Sequence, residues 1–260
     1  MYPTLFTIGH LEIRVWGVML ILGVLAGLWL GLRLARLSRF SQDMLVEYVL
    51  YGVIAGLIGA RLWEVAFSWE SFSASPIHAL MLWEGGLSIQ GAVVANVILA
   101  FWYFRRKKLP FSQFVDIGAP GLILGQAIGR IGCFFNGDAY GTPTKAWYGV
   151  VYQPGTPAYN VWGNTPLVPA ELFEAGLDMA ILGVLLYLFP RKRFDGQVAL
   201  AYFVLYSAAR FALEFLRTDS LLLGGFKAAQ ITSLLTALVA GGLLAWRHYR
   251  RADGIVLSSN

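Results

Sequence analysis

Arg61 in AGLIGARLWEV, Arg130 in LGQAIGRIGCFFNGD and Arg210 in VLYSAARFALEF each interrupt an otherwise apolar stretch. A charged side chain at such a place is costly in hydrocarbon, so it usually faces a bundle interior or a wet cavity and marks a functional path. Cations gathered at one depth can receive an anionic group, and in a bilayer the anion at hand is a lipid phosphate. Arginine suits that task because its planar fork of N–H donors bonds phosphate two oxygens at a time. Arg210 has Glu214 one helical turn on, the spacing of an intrahelical ion pair. For Arg61 and Arg217 a plainer reading stays open, in which a long side chain near a helix end snorkels to the headgroups. Cys133, the one cysteine, follows Arg130 by three residues. No His–Asp pair beside it suggests activation as a nucleophile, so it reads as a small buried apolar residue. A single cysteine also excludes an internal disulfide and a cysteine metal cluster, and no cofactor or metal motif is present.

These residues must be held by membrane-crossing helices. Charged residues make up 13% of the chain and mean hydropathy is +0.62, whereas soluble domains carry about 25% charged residues. The net charge of +5 does not point to nucleic acid, because the basic residues form short blocks between apolar runs. Segments long enough to span fall near 15–33, 45–63, 86–104, 111–130, 171–189, 197–216 and 228–246. The expected fold is therefore an all-α polytopic membrane protein of about seven transmembrane helices, one integral domain over 1–260 with no cleavable signal peptide. The fourth span is expected to be broken or tilted, since Asp116, Pro120 and Gln126 interrupt it.

Lysine and arginine set the orientation. Basic blocks at Arg33–Arg39, Arg105–Lys108, Arg191–Arg193 and Arg247–Arg251 all follow odd-numbered spans. The positive-inside rule then puts the N-terminus outside and the C-terminus in the cytoplasm. Residues 131–170, rich in Gly, Pro, Asn, Tyr and Trp, form a small extracytoplasmic cap in which YGVVYQ is a short strand. The second outer connection, 64–84, carries Glu64, Glu70 and Glu84 and leads into LWEGGLSIQG. The glycines there, Gly86 among them, permit close approach of either a ligand or another helix.

The run GRIGCFFNGDAYG, Gly129 to Gly141, resembles the signature of the bacterial prolipoprotein diacylglyceryl transferases, with Gly129, Arg130, Gly132, Phe134, Asn136, Gly137, Asp138 and Gly141 matching. RVWGVMLILG, GARLWEV, WEGGLSIQG, PAELFEAGLD and ARFALEFLR follow in that family's order. The resemblance implies a multi-pass protein of the bacterial inner (plasma) membrane. It implies transfer of the diacylglyceryl group of phosphatidylglycerol to the lipobox cysteine of preprolipoproteins, giving a thioether and glycerol 1-phosphate. Arg130, Arg210 and Glu214 are then the expected catalytic residues. Arg130, Asn136, Asp138, Gly141, Arg61, Arg217, Gln90 and Gly86 are the expected phosphatidylglycerol-binding residues. The implied partners are phosphatidylglycerol, preprolipoprotein signal peptides and membrane lipids, with neither metal nor cofactor. The alternative is a divergent paralogue that binds or transports an anionic lipid, or uses another acceptor.

The chain also departs from the family pattern. Gln90 stands where a His, a proposed base, is usual; a neutral amide cannot accept a proton near neutral pH. Trp16 replaces a Tyr, Val168 a His, Glu171 a Gln and Phe173 a Tyr. His10, His78 and His248 offer no evident substitute. The anion-binding half of the expected site is intact and the proton-handling half is altered. A cationic pocket can still supply thiolate without a dedicated base, because a free thiol has a pKa of about 8.5.

Overall fold

The computed structural model describes residues 4–8, 11–73, 75–81, 86–218, 222–224 and 226–257. His10, Glu84 and Gly85 lie outside the described residues. The chain forms two compact units, one of residues 1–31 and 112–260 and the other of residues 32–111. Among the described residues six helices are long and apolar enough to cross a membrane. Five of the expected spans in the larger unit or at its edge appear as α1 (Val15–Leu37), α5 (Phe111–Asn136), α7 (Ala170–Leu188), α8 (Gln197–Leu213) and α9 (Ala228–Leu257). In the smaller unit α2 (Gln42–Phe67) is the sixth. The remaining expected segment is also helical, as α4 (Ile89–Lys107), but its 19 residues include Gln90 and Asn96 and end in Arg-Arg-Lys. The fold is that of an all-α polytopic membrane protein.

In the smaller unit α2 is capped by the Ser41 side chain, which accepts from the Met44 N–H at 3.3 Å. It packs on α4 through small residues. Asn96 Nδ2 donates to the carbonyls of Gly52 on α2 at 3.1 Å and Ala92 at 3.0 Å. A side chain at Gly52 would meet Asn96 Oδ1 at 2.8 Å, so glycine is what lets the helices close. Glu47 is neutralised by Lys107 at 3.0 Å. Between the helices run α3 (Trp69–Ser73) and a 3₁₀ turn, Pro76–Leu80.

In the larger unit an antiparallel hairpin, β1 (Thr4–Ile8) and β2 (Leu11–Arg14), precedes α1. α1 and α5 touch backbone to backbone: a Cβ on Gly27 would lie 2.6 Å from the Gly121 carbonyl oxygen. α5 is not broken. Each residue expected to interrupt it has found a place. Asp116 accepts from the N–H groups of Gly196 at 2.8 Å and Ala199 at 3.0 Å, capping α8 from across the bundle, and pairs with Lys192 at 2.9 Å. Gln126 Oε1 accepts from the Tyr202 hydroxyl at 3.0 Å, and Pro120 is buried one residue before the close contact at Gly121. The helix also runs six residues past its expected end, so 131–136 belong to α5 and not to the loop.

The connection that follows is compact. Tyr140, Tyr152, Ala158 and Leu167 form its buried core, with Phe134 and Trp162 packed against them. A short helix, α6 (Pro157–Trp162), is capped by Thr156. The expected strand at YGVVYQ is reduced to a single antiparallel bridge, Val150 with Leu167. Leu167 also bridges Pro143, which leaves no continuous partner strand for a longer ladder.

Candidate anion site

α5, α7 and α8 each turn one polar face inward, and the arginines meet there around a carboxylate. Glu174 is 3% exposed. Its Oε1 lies 2.9 Å from Arg130 Nη2, and its Oε2 lies 3.5 Å from Arg210 Nη1 and 3.9 Å from Arg217 Nη1. Arg210 reaches a second buried carboxylate, Glu214, at 3.0 Å, the i,i+4 pair expected from spacing. Isolated buried carboxylates are very costly, so this pairing explains why acids and bases are found together here. Three guanidinium groups share two ion-paired carboxylates, Glu174 and Glu214.

α7 continues the same face with Glu171 three residues before Glu174 and Asp178 four after. Glu171 is fully buried and both of its oxygens accept from the Tyr152 hydroxyl at 2.9 Å. Burial and the facing carboxylate push the Tyr152 phenol well above its usual pKa, so it remains a donor. Asp178 is 1% exposed, and neither oxygen accepts a hydrogen bond among the described residues. Tyr206 on α8 lies within electrostatic reach of Arg130, Arg210, Glu174 and Asp178.

The end of α5 shapes one wall. Gly137, at φ +71°, ends the helix: its N–H and that of Asp138 both return to the Cys133 carbonyl, at 2.8 and 3.3 Å. Asn136 Nδ2 then donates to Asp138 Oδ2 at 2.7 Å. Gly141 bridges Arg217 and donates to the Val168 carbonyl at 2.9 Å, while Thr142 N–H donates to Leu216 at 2.8 Å. Residue 141 therefore fixes the backbone that carries Arg217. A Cβ there would come within 2.8 Å of the Val168 oxygen and 2.9 Å of the Leu216 oxygen. Val168 itself is 5% exposed, and Cys133, expected to be a small buried apolar residue, is half-buried. A side chain at Gly132 would meet Met19 Cβ at 2.9 Å, close to Trp16 on α1.

Arg61, Gly86 and Gln90 belong to the smaller unit and form a local arrangement of their own. Arg61 is 6% exposed, and every guanidinium nitrogen donates to a backbone carbonyl. Nε bonds Ala79 at 2.9 Å, Nη1 bonds Gly86 at 3.0 Å, and Nη2 bonds His78 and, at 3.1 Å, Met81. Its ring neighbour is Phe72, 5.1 Å from Cζ. These are the bonds of a residue that ties down a connection, not of one reaching up to headgroups. Gly86, at φ +68°, has no room for a side chain: a Cβ would sit 2.9 Å from Arg61 Nη1. Gln90 is exposed in the first turn of α4, where its Oε1 accepts from Ser88 Oγ at 2.6 Å.

Glu174 and Tyr206 were not singled out by the sequence reading. Their signal was present: Glu171, Glu174 and Asp178 recur at helical spacing in an apolar span, which presents three acids on one face as counter-ions for the arginines.

Fold and site together define a polytopic membrane protein in which three arginines gather on one buried carboxylate. The family model for prolipoprotein diacylglyceryl transferase matches residues 3–246, and the chain belongs to that family. Among curated relatives, the phosphatidylglycerol–prolipoprotein diacylglyceryl transferase of Acaryochloris marina is 37% identical over 235 residues, covering 90% of this chain and 86% of that protein. The protein of the same name from Symbiobacterium thermophilum is 36% identical over 254 residues, covering 96% and 94%. That from Finegoldia magna is 32% identical over 247 residues, covering 95% of each.

Proposed function

We propose that this chain transfers the diacylglyceryl group of phosphatidylglycerol to the lipobox cysteine of a preprolipoprotein. The observation that carries the reading is the gathering of Arg130, Arg210 and Arg217 around Glu174. A phosphodiester is an anion whose oxygens suit several fixed guanidinium donors. The family membership and the names of the relatives supply the substrates.

In the reaction the thiolate sulfur attacks the glyceryl carbon, an S–C bond forms and the C–O bond to phosphate breaks. The electron pair stays on the departing phosphate, which leaves as glycerol 1-phosphate with one more negative charge. Arg130 and Arg210 hold that growing charge, the role in which fixed donors contribute most. Glu174 positions the two arginines and Arg217 relative to one another. Glu214 orients Arg210. Asn136 and Asp138 line the headgroup end of the site, and Gly141 seats Arg217. The same cations favour thiolate over thiol, which serves in place of a base at Gln90. Arg61 and Gly86 are assigned to holding the connection before α4, the element that carries Gln90. Both units act as one transferase domain in the bacterial inner membrane, N-terminus outside and C-terminus in the cytoplasm.

The test is purified protein with headgroup-labelled phosphatidylglycerol and a lipobox peptide. The expected result is a thioether-linked lipopeptide with release of labelled glycerol 1-phosphate. No product beside an active relative would overturn the reading.

A further inference from the structure

Trp147 is 95% exposed, although it belongs to a hydrogen-bonded turn of the connection between α5 and α7. The frame is made of backbone bonds and one side-chain cap. Thr144 N–H donates to the Pro166 carbonyl at 2.9 Å, Ala146 N–H to Thr144 Oγ1 at 3.1 Å, and Gly149 N–H to the Ala146 carbonyl at 3.0 Å. Pro143 before the turn and Val150 after it both bridge Leu167, which is 1% exposed. The indole is thus held outward by a fixed base. One exposed apolar residue on a soluble surface needs no explanation. Here the exposed rings form a continuous path: Trp147 meets Tyr148 edge-on at 5.7 Å, and Tyr148 meets Phe173 edge-on at 5.6 Å. Tyr148 and Phe173 are each 39% exposed.

Phe173 is the anchor of the argument about depth, because it is the fourth residue of a membrane-crossing helix, α7. A ring packed on the first turn of a spanning helix lies at the boundary between hydrocarbon and headgroups. Trp147 is one residue beyond that ring. Lys145, two residues before it, is exposed as well. Indole and phenol rings with a neighbouring cation are the groups that settle at this level, the rings among the carbonyls and the ammonium near lipid phosphate.

We infer that the Trp147–Tyr148 tip, with Lys145, is an interfacial foot that rests in the phospholipid headgroup layer beside α7. It fixes the height of the 137–169 connection above the bilayer, and with it the backbone that carries Gly141 and Asp138. The partner is the lipid surface itself and not an acceptor polypeptide.

The single cysteine makes the test direct. In a Cys133→Ala background, Trp147→Cys and, as an aqueous reference, Asn164→Cys at an exposed turn are spin-labelled in vesicles of equal phosphatidylglycerol and phosphatidylcholine. Collision with oxygen and with a water-soluble nickel chelate reports depth without any need for turnover, so the outcome is independent of the proposed transferase activity. At residue 147 the expected nickel collision rate is several-fold lower than at 164, with a depth at the headgroup–acyl boundary. Equal nickel access at both positions overturns the inference. So does shielding of residue 147 that appears only when lipobox peptide is added, since that marks an acceptor-docking surface. If the Cys133→Ala background does not fold, quenching of tryptophan emission by lipids brominated near the headgroup is compared between the native chain and Trp147→Phe. Loss of part of the quenching in Trp147→Phe is expected, and an unchanged quenched fraction overturns the inference.

Discussion

Replacing Glu174 by glutamine keeps the shape of the side chain and removes the charge that three arginines share. At an effective dielectric of about 20, contacts of 2.9, 3.5 and 3.9 Å each correspond to roughly 4–6 kcal/mol of Coulomb attraction before desolvation. Their sum overstates the net effect, because bringing the four groups out of water already cost much of it. Breaking a buried pair by neutralising one partner typically costs about 3–5 kcal/mol. Glu174→Gln is therefore expected to lower the melting temperature in detergent by at least about 6 °C. The sign reverses for ligand binding. With Glu174 neutral the arginines lose one compensating negative charge, so glycerol 1-phosphate should bind more tightly than to the native chain. At a hundredfold excess over its dissociation constant it restores about 2.7 kcal/mol. Thermal unfolding with and without glycerol 1-phosphate, beside the same scan on native protein, reads both effects. Turnover should fall, since the arginines lose their common reference and product is held longer. An unchanged melting temperature together with unchanged phosphate stabilisation would refute a central role for Glu174.

Other substitutions probe the remaining parts. Arg130→Ala and Arg210→Ala should each lower kcat by about 10²-fold or more, the scale of losing one oxyanion donor, as measured by thioether formation; full activity in either removes that residue from the reaction. Gly141→Ala drives a methyl group against the Val168 and Leu216 carbonyls. It should cost roughly 1–3 kcal/mol and raise KM for phosphatidylglycerol more than it lowers kcat, because Arg217 is displaced. Tyr152→Phe leaves the buried Glu171 carboxyl without its donor and should cost about 1–3 kcal/mol in an unfolding titration, with no comparable loss in Tyr148→Phe. Gln90→His adds a titratable imidazole at the first turn of α4. A large gain in rate between pH 6 and 8 is expected if proton removal limits the native enzyme, and an unchanged rate places the limit elsewhere.

Much of the architecture was legible in the chain because a membrane simplifies the code. A spanning helix must satisfy its own backbone, so long apolar segments bounded by basic blocks mark α1, α2, α5, α7, α8 and α9 with little ambiguity. The Arg210–Glu214 pair was readable for the same reason, since i,i+4 neighbours need no tertiary information. What failed was of a different kind. Asp116 and Gln126 looked like interruptions of α5 because their partners, Lys192 and the start of α8 for the first and Tyr202 for the second, lie 76 to 83 residues away. YGVVYQ looked like a strand because alternation signals a half-buried extended segment, yet a strand also needs a neighbour of matching length, and Leu167 supplies only a bridge.

The sequence by itself determined that this chain crosses a membrane many times, that cations are embedded in its spans, and which family it joins. Only the tertiary structure decided which charges meet. Helical periodicity states which residues share a face, but not which face of which helix lies opposite. That choice is made by packing, where Gly27 against Gly121 sets how closely α1 and α5 approach. Thus Arg217, a residue that could have been a simple snorkelling cation, faces Glu174 with Arg130 and Arg210, because Gly141 draws its backbone in. Arg61, equally embedded in sequence, spends its guanidinium on four carbonyls of its own connection. Burial favours pairing of charges, and which partner is available is a property of the folded chain.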